Sequence, residues 1–104
     1  MNLLFICNQN QHRSKTAEMI FKEEYSVRSR GLYNNEVTSA DLGWADIVFV
    51  MEENQRKEIS LRFPKEYLRK RILCLDIPDI YQYGDDRLIA LLEEKVNDLL
   101  FEKI

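Results

Sequence analysis

Eight consecutive residues near the start of the chain could carry chemistry on an anion. They are Cys7-Asn8-Gln9-Asn10-Gln11-His12-Arg13-Ser14. Arg13 supplies a planar guanidinium whose parallel N–H donors match two oxygens of a tetrahedral oxyanion. Cys7 supplies a sulfur that is a strong nucleophile when it is ionised. A nucleophile and a permanent cation are therefore predicted to act on one phosphate-like group.

The flanking residues predict the backbone that such a site needs. Leu3-Leu4-Phe5-Ile6 predicts a buried strand, and Ala17, Ile20, Phe21 and Glu24 fall at helical spacing in the segment that follows. Where a strand turns into a helix, the first helical amides have no partner and the helix dipole is positive, so the turn attracts anions. A cysteine at that point lies in a field that favours the thiolate.

This pattern resembles the phosphate-binding loop of the low-molecular-weight protein tyrosine phosphatases. The resemblance rests on Cys7, five intervening residues, Arg13 and Ser14 between a first strand and a first helix. Ala17 and Glu18 also match that family's pattern after the serine. The chain is identified as resembling a short, trimmed bacterial-type member. The resemblance implies catalysis by Cys7 and Arg13 with no cofactor.

The resemblance also implies that the rest of the loop binds substrate or phosphate. These residues are Asn8, Gln9, Asn10, Gln11, His12 and Ser14. Ser14 is expected to hydrogen-bond the thiolate, to cap the helix, or both. Asn10 is expected to hold the loop in shape, in a left-handed conformation that Asn tolerates. Gln9 stands where many relatives have glycine, which makes its backbone conformation an open question. His12 either tunes the site or is a solvated or packed histidine.

Phosphoryl transfer through a covalent intermediate also needs an acid for the leaving oxygen and a base for water. In the resembled family the acid is the Asp of an Asp-Pro-Tyr segment after the fourth strand. The matching residues here are Asp79-Ile80-Tyr81, with Ile80 in place of the proline. Asp79 is the predicted acid, Asp76 is its competitor, and Tyr81 is expected to form a wall for an aromatic ring.

The order of elements predicts an α/β fold of three layers. Strands are predicted at 3–6, 25–30, 46–51 and 72–75, the second of them as an edge strand because its side chains are largely polar. Helices are predicted at 15–21, 39–45 and 52–63, followed by a last helix capped by Asp85 or Asp86. The apolar stripe predicted for that last helix consists of Leu88, Leu92, Val96, Leu99 and Leu100. Pro64 is expected to end the third helix. Such alternation predicts a parallel sheet with helices on both faces, here in strand order 2-1-3-4. Ligands bind beyond the carboxyl ends of such strands, where Cys7, the residues after Met51 and the loop from Asp76 converge.

Composition limits the classes of function. The chain has 104 residues, 45% of them hydrophobic, and a net charge of −3. We expect one domain over residues 1–104, and the charge gives no reason to expect nucleic acid or a membrane as partner. Two cysteines, no signal-like segment and no long apolar run favour a reducing cytoplasm. One histidine and two separated cysteines predict no metal site.

The predicted function is a cysteine-dependent protein tyrosine phosphatase that releases inorganic phosphate from a phosphotyrosine-containing protein or a small aryl phosphate. One rival is an arsenate-type oxyanion reductase, which needs further cysteines. Cys74 lies two predicted strands from Cys7, roughly 10 Å, whereas a disulfide needs Cα atoms within about 7 Å. Cys74 is therefore predicted to be a core residue. Another rival is a non-catalytic phosphate- or phosphopeptide-binding module, which the departures at Gln9 and Ile80 keep open.

Overall fold

The computed structural model describes residues 1–101. The strands are β1 (Asn2–Cys7), β2 (Ser26–Gly31), β3 (Ile47–Val50) and β4 (Arg71–Cys74). The helices are α1 (Arg13–Phe21), α2 (Ser39–Trp44), α3 (Glu53–Arg62), α4 (Pro64–Arg69) and α5 (Asp86–Leu100). All strands of the sheet pair in parallel, in the order β2-β1-β3-β4. This confirms the predicted fold class and strand order.

The inner strand β1 is apolar from Leu3 to Cys7 because both of its faces are covered. Leu3 and Phe5 point into a core shared with α1 and α5, whereas Leu4 and Ile6 point into a second core on the opposite face. In the first core the Phe5 ring stacks on Phe21, with 5.7 Å between ring centroids, and on Phe49, at 5.1 Å. Alternation along β1 puts Cys7 on the α1 side of the sheet, facing the helix that follows it.

The edge strand β2 carries polar side chains, as the sequence predicted for an edge. Arg28 and Arg30 both reach the carboxylate of Asp41 on α2, at 3.1 Å each. Thr38 caps α2 and exchanges hydrogen bonds with Asp41 in a capping box. These contacts fix the connection from β2 to α2. Residues of that connection hydrogen-bond to the loop that follows Cys7.

Several local predictions were wrong or too coarse. Pro64 follows α3 as expected, yet it also begins α4, because its fixed φ suits the first turn of a helix. Glu24 lies beyond α1 and is exposed, so it does not belong to the helical stripe. Ser14 is inside α1 rather than at its N-cap, which is His12. Asp85, not Asp86, caps α5 by accepting a hydrogen bond from the amide of Arg87.

The apolar stripe predicted for α5 faces the core on the α1 side. Leu88, Leu92 and Val96 are buried, and Leu99 and Leu100 are partly buried against the same cluster. Within residues 1–101, no helix is both long enough and apolar enough to cross a membrane.

Candidate active site

The sulfur of Cys7 lies beside the hydroxyl of Ser14. Cys7 ends β1 and is only 3% exposed, and its Sγ lies 3.0 Å from Ser14 Oγ. The side-chain amide of Asn10 donates from Nδ2 to that same Oγ at 2.8 Å. Because Ser14 Oγ accepts from Asn10, its own hydrogen is free to point at the sulfur. The arrangement therefore favours Ser14 as donor and the sulfur as acceptor.

Asparagine residues set the backbone conformation of the loop between β1 and α1. Asn10 has a φ of 52°, a left-handed conformation, and its Oδ1 accepts a hydrogen bond from Asn35 at 2.8 Å. Positive φ outside glycine occurs in residues 1–101 at Asn10, Asn35 and Asp76. Gln9 is not among them, so its position demands no glycine. The amides of residues 9–14 donate to no backbone carbonyl of the described chain, which leaves them available to an anion.

The connection after β2 braces this loop from outside. The backbone amides of Leu32 and Tyr33 both donate to the Asn8 carbonyl, at 3.0 and 2.9 Å. Asn34 donates from its side chain to the carbonyl of Gln9 at 3.0 Å. Gly31 makes this approach possible, because a Cβ there would lie 2.8 Å from the Asn8 carbonyl oxygen. The loop is thus supported by its neighbours and not only by its own residues.

The guanidinium of Arg13 is fixed on one side and open on the other. Nη1 donates to Glu52 Oε1 at 2.9 Å and to the Ile77 carbonyl at 2.8 Å, which uses both of its hydrogens. Nε and Nη2 make no hydrogen bond within residues 1–101. In that part of the chain every buried side-chain nitrogen or oxygen has a hydrogen-bond partner. Because Nε and Nη2 have none, this second edge of the guanidinium is in contact with solvent, although Arg13 is only 2% exposed overall. Two parallel donors are therefore presented to a ligand.

Glu52 and Gln55 belong to this site, and neither was predicted individually from the sequence. Gln55 is fully buried; its side-chain oxygen accepts from the amides of Met51 and Glu52, and its Nε2 donates to Asn8 Oδ1 at 3.1 Å. Their position directly after β3 was the available signal, since the carboxyl ends of parallel strands share one edge. The residue types alone resembled an ordinary charged helix start.

The two competing acids lie in different surroundings. Asp79 Oδ1 is 3.7 Å from Arg13 Nε, and the Asp79 side chain is 61% exposed. Asp76 has a φ of 57°, its carbonyl accepts a hydrogen bond from Lys95 at 3.2 Å, and it lines a separate cavity of about 300 Å³ beside Cys74. The structure brings Asp79, and not Asp76, to the arginine of the loop.

The remaining predicted site residues differ in burial and in the partners that they contact. Gln9 and Gln11 are exposed. Tyr81 is half-buried against the core on the α1 side, and the guanidinium of Arg87 lies 5.6 Å from its ring centroid. Nδ1 of His12 accepts a hydrogen bond from the backbone amide of Tyr83 at 3.1 Å. His12 is therefore a partner of the loop that carries Asp79.

Cys74 is half-buried at the end of β4 rather than a fully buried core residue. Burial raises the pKa of its thiol, which keeps it protonated. Both cysteines are free, and β3 lies between their strands. Residues 1–101 contain no group of three or more His, Cys, Asp or Glu side chains that could hold a metal ion.

No protein-family model matches the sequence, and no curated protein matches it. Solved structures do. A low molecular weight phosphotyrosine phosphatase from Vibrio cholerae superposes with a TM-score of 0.78 at 18% identity, over 100% of this chain and 99% of that one. A protein tyrosine phosphatase from Entamoeba histolytica gives a TM-score of 0.75 at 23% identity, over 98% and 96%. The YwlE arginine phosphatase from Geobacillus stearothermophilus gives 0.69 at 16% identity, over 99% and 98%.

These likenesses span nearly the whole chain in both directions. They show that the chain has the fold of the low-molecular-weight protein tyrosine phosphatases. At such low sequence identity a shared fold does not establish a shared activity, so the activity must be argued from the residues of the site.

Proposed function

We propose that this chain, which has the low-molecular-weight phosphatase fold, is a cysteine-dependent protein tyrosine phosphatase. Its substrates are aryl phosphate monoesters, either phosphotyrosine in a protein or a small aryl phosphate, and its product is inorganic phosphate. No metal or cofactor takes part in the proposed reaction. A thiolate enzyme needs its sulfur reduced, and we infer that it works in the cytoplasm.

In the first step the thiolate of Cys7 attacks phosphorus while the bond from phosphorus to the aryl oxygen breaks. The amides of the loop and the Nε–Nη2 edge of Arg13 bind the non-bridging oxygens. Asp79 gives its proton to the departing oxygen, because a phenolate, with a conjugate acid of pKa about 10, leaves poorly at neutral pH unless it is protonated. The products are a phenol and a cysteinyl-phosphate.

In the second step water attacks the phosphorus of that intermediate. Asp79, now ionised, takes a proton from the water, and the sulfur leaves as a thiolate that the Ser14 hydroxyl stabilises. The released product is inorganic phosphate, and the acid has regained its proton. Each group thus returns to its starting state.

One observation carries the proposal: the sulfur of Cys7 lies 3.0 Å from a hydroxyl that the Asn10 amide has already oriented. A cysteine buried only for packing does not need an oriented donor, whereas a nucleophile and leaving group does. The open edge of Arg13 supports the same conclusion, because it offers the fork that a phosphoryl group binds.

The test is steady-state hydrolysis of phenyl phosphate in the presence of a chelator, with the variants Cys7→Ser and Cys74→Ser. We expect turnover by the unmodified chain, none above background from Cys7→Ser, and an unchanged rate from Cys74→Ser. Phosphoarginine is assayed in parallel, because the structural neighbours include an arginine phosphatase. Preference for phosphoarginine would contradict the aryl substrate class while leaving the nucleophile in place.

The same variants separate the rivals. An oxyanion reductase would turn over arsenate with thiol and would depend on a second cysteine, so loss of activity in Cys74→Ser would favour it. A non-catalytic binding module would protect Cys7 from alkylation when phosphate is added, yet hydrolyse no substrate. Full activity of Cys7→Ser would refute the proposed nucleophile.

A further inference from the structure

The loop that carries Asp79, here called the acid loop, comprises residues 75–85 between β4 and α5. Two of its residues form hydrogen bonds with residues at the start of α1. The amide of Tyr83 donates to His12 Nδ1 at 3.1 Å, and the amide of Gly84 donates to Thr16 Oγ1 at 3.0 Å. The Tyr83 hydroxyl also lies 3.1 Å from Met19 Sδ. These contacts join positions about 70 residues apart in the sequence. They connect the C-terminal end of the acid loop, its distal end, to the first turn of α1. That turn directly follows the loop that begins at Cys7.

The other end of that loop is held near Ile77. Its amide donates to the Met51 carbonyl at 2.9 Å, and its own carbonyl accepts from Arg13 at 2.8 Å. Between these anchors Asp79 and Ile80 are exposed, and the backbone of residues 78–82 donates no hydrogen bond within the described chain. Ile80 also has a freer backbone than a proline at that position. The placement of Asp79 therefore depends on both anchors.

We propose that His12 is a positioning residue for the general acid. By accepting the Tyr83 amide, its imidazole fixes the distal anchor of the loop and so holds the Asp79 carboxyl beside Arg13. This inference rests on the proposed phosphatase function. It gives the histidine of the phosphate loop a role that involves no contact with substrate.

The geometry also assigns the state of the ring. A nitrogen that accepts from an N–H must present a lone pair, so Nδ1 carries no hydrogen, and in the neutral ring the hydrogen is on Nε2. An asparagine side chain can place an amide oxygen close to the position of Nδ1. His12→Asn is thus a conservative replacement, whereas His12→Ala removes the acceptor.

The experiment compares two substrates whose leaving groups differ in acidity, phenyl phosphate and 2,4-dinitrophenyl phosphate. A misplaced acid harms the poor leaving group most. For His12→Ala we expect kcat/KM to fall about tenfold on phenyl phosphate and less than about twofold on the dinitrophenyl ester, as loss of one anchoring hydrogen bond implies. His12→Asn should recover most of the loss. Lys57→Ala, an exposed change on α3, is the matched control and should alter neither rate.

The double variant His12→Ala/Asp79→Asn tests whether the histidine acts through the acid. If it does, adding His12→Ala to Asp79→Asn lowers the phenyl phosphate rate by less than about twofold, because the shared effect is already lost. A full tenfold further loss, or equal losses on both substrates, would overturn the proposal. So would a His12→Ala enzyme with unaltered rates.

Hydrogen exchange of the Tyr83 amide gives a readout that needs no turnover. We expect slow exchange in the unmodified chain and in His12→Asn, and exchange at least several-fold faster in His12→Ala. Unchanged exchange would contradict the anchor itself. A chain that hydrolyses nothing yet shows this exchange pattern would refute the phosphatase proposal and keep the anchor, so the two failures are distinguishable.

Discussion

The carboxylate of Asp79 lies 3.7 Å from Nε of Arg13, on the edge of the guanidinium that makes no hydrogen bond to a described residue. The separation exceeds a direct hydrogen bond, and the carboxylate is 61% exposed, so the contact contributes little to folding stability. Its chemical consequence is larger. A phosphoryl group bound by the open edge of Arg13 would bring its leaving oxygen within reach of the acid.

Replacing the acid should therefore affect substrates unequally. For Asp79→Asn we expect kcat/KM on phenyl phosphate to fall about 10²- to 10³-fold, and on 2,4-dinitrophenyl phosphate by less than about tenfold, because an acidic phenol leaves without a proton. Steady-state kinetics on the two esters measure the difference. Asp76→Asn is the matched control, because its contact with Lys95 is made by the backbone carbonyl, which the substitution keeps. An equal loss from Asp76→Asn alone would transfer the acid role to Asp76.

The arginine of the loop should not tolerate lysine. In Arg13→Lys one ammonium cannot contact Glu52, the Ile77 carbonyl and two phosphoryl oxygens at once. We expect kcat/KM to fall by about 10² to 10³ and phosphate to become a weaker competitive inhibitor. Arg69→Lys, an exposed change on α4, should change neither kcat/KM nor the inhibition by phosphate. An Arg13→Lys enzyme within about threefold of the unmodified chain would show that the bidentate contact is unimportant.

The sequence predicted those parts of the fold that periodicity and position dictate. Apolar runs located β1 and β3, and the strand-turn-helix pattern placed Cys7 and Arg13 at one turn. The edge strand β2 was also anticipated from its polar side chains. Each of these depends on local patterns, which a single sequence records directly.

The contacts that hold the site could not be predicted in the same way. The partners of Arg13 are Glu52 and the carbonyl of Ile77, 39 and 64 residues away, and a backbone carbonyl carries no signal in the side-chain sequence. The donor in the hydrogen bond to the His12 side chain is likewise a backbone group, the amide of Tyr83, 71 residues away. Helix α4 was missed because a proline is equally compatible with ending one helix and beginning the next.

Two glycines offer a paired test of how closely the chain approaches the loop. In Gly31→Ala a Cβ would lie 2.3 Å from the Asn34 carbonyl oxygen and 2.8 Å from that of Asn8, so backbone must move. We expect the free energy of unfolding to fall by roughly 1–3 kcal/mol, together with a loss of turnover as the loop shifts. Urea denaturation and phenyl phosphate kinetics measure the two effects.

Gly43→Ala is the control, because, apart from its chain neighbours and the backbone of its own helix, no described atom lies within 4 Å of a Cβ at that position. There alanine should stabilise by about 0.5–1 kcal/mol through its better helix propensity, with activity unchanged. A harmless Gly31→Ala would mean that the Asn8 and Asn34 carbonyls do not constrain the loop.

Asp41 makes the stability of the chain depend on acid pH. Burial alone raises the pKa of this carboxyl, but hydrogen bonds from Thr38 and the charge of Arg30 outweigh burial and hold the pKa below its usual value. A lowered pKa in the folded state means that the stabilisation is fully present above the unfolded value, about 3.9, and is lost as the pH falls through the folded value.

For Asp41→Asn we expect the free energy of unfolding at pH 7 to fall by about 2 kcal/mol, since charge-assisted hydrogen bonds to Arg28 and Arg30 are lost. Urea denaturation at pH 7, 5 and 3 should show this difference unchanged to about pH 5 and smaller at pH 3. A difference that stays constant or grows at pH 3 would show that the carboxylate's charge is not what ties β2 to α2.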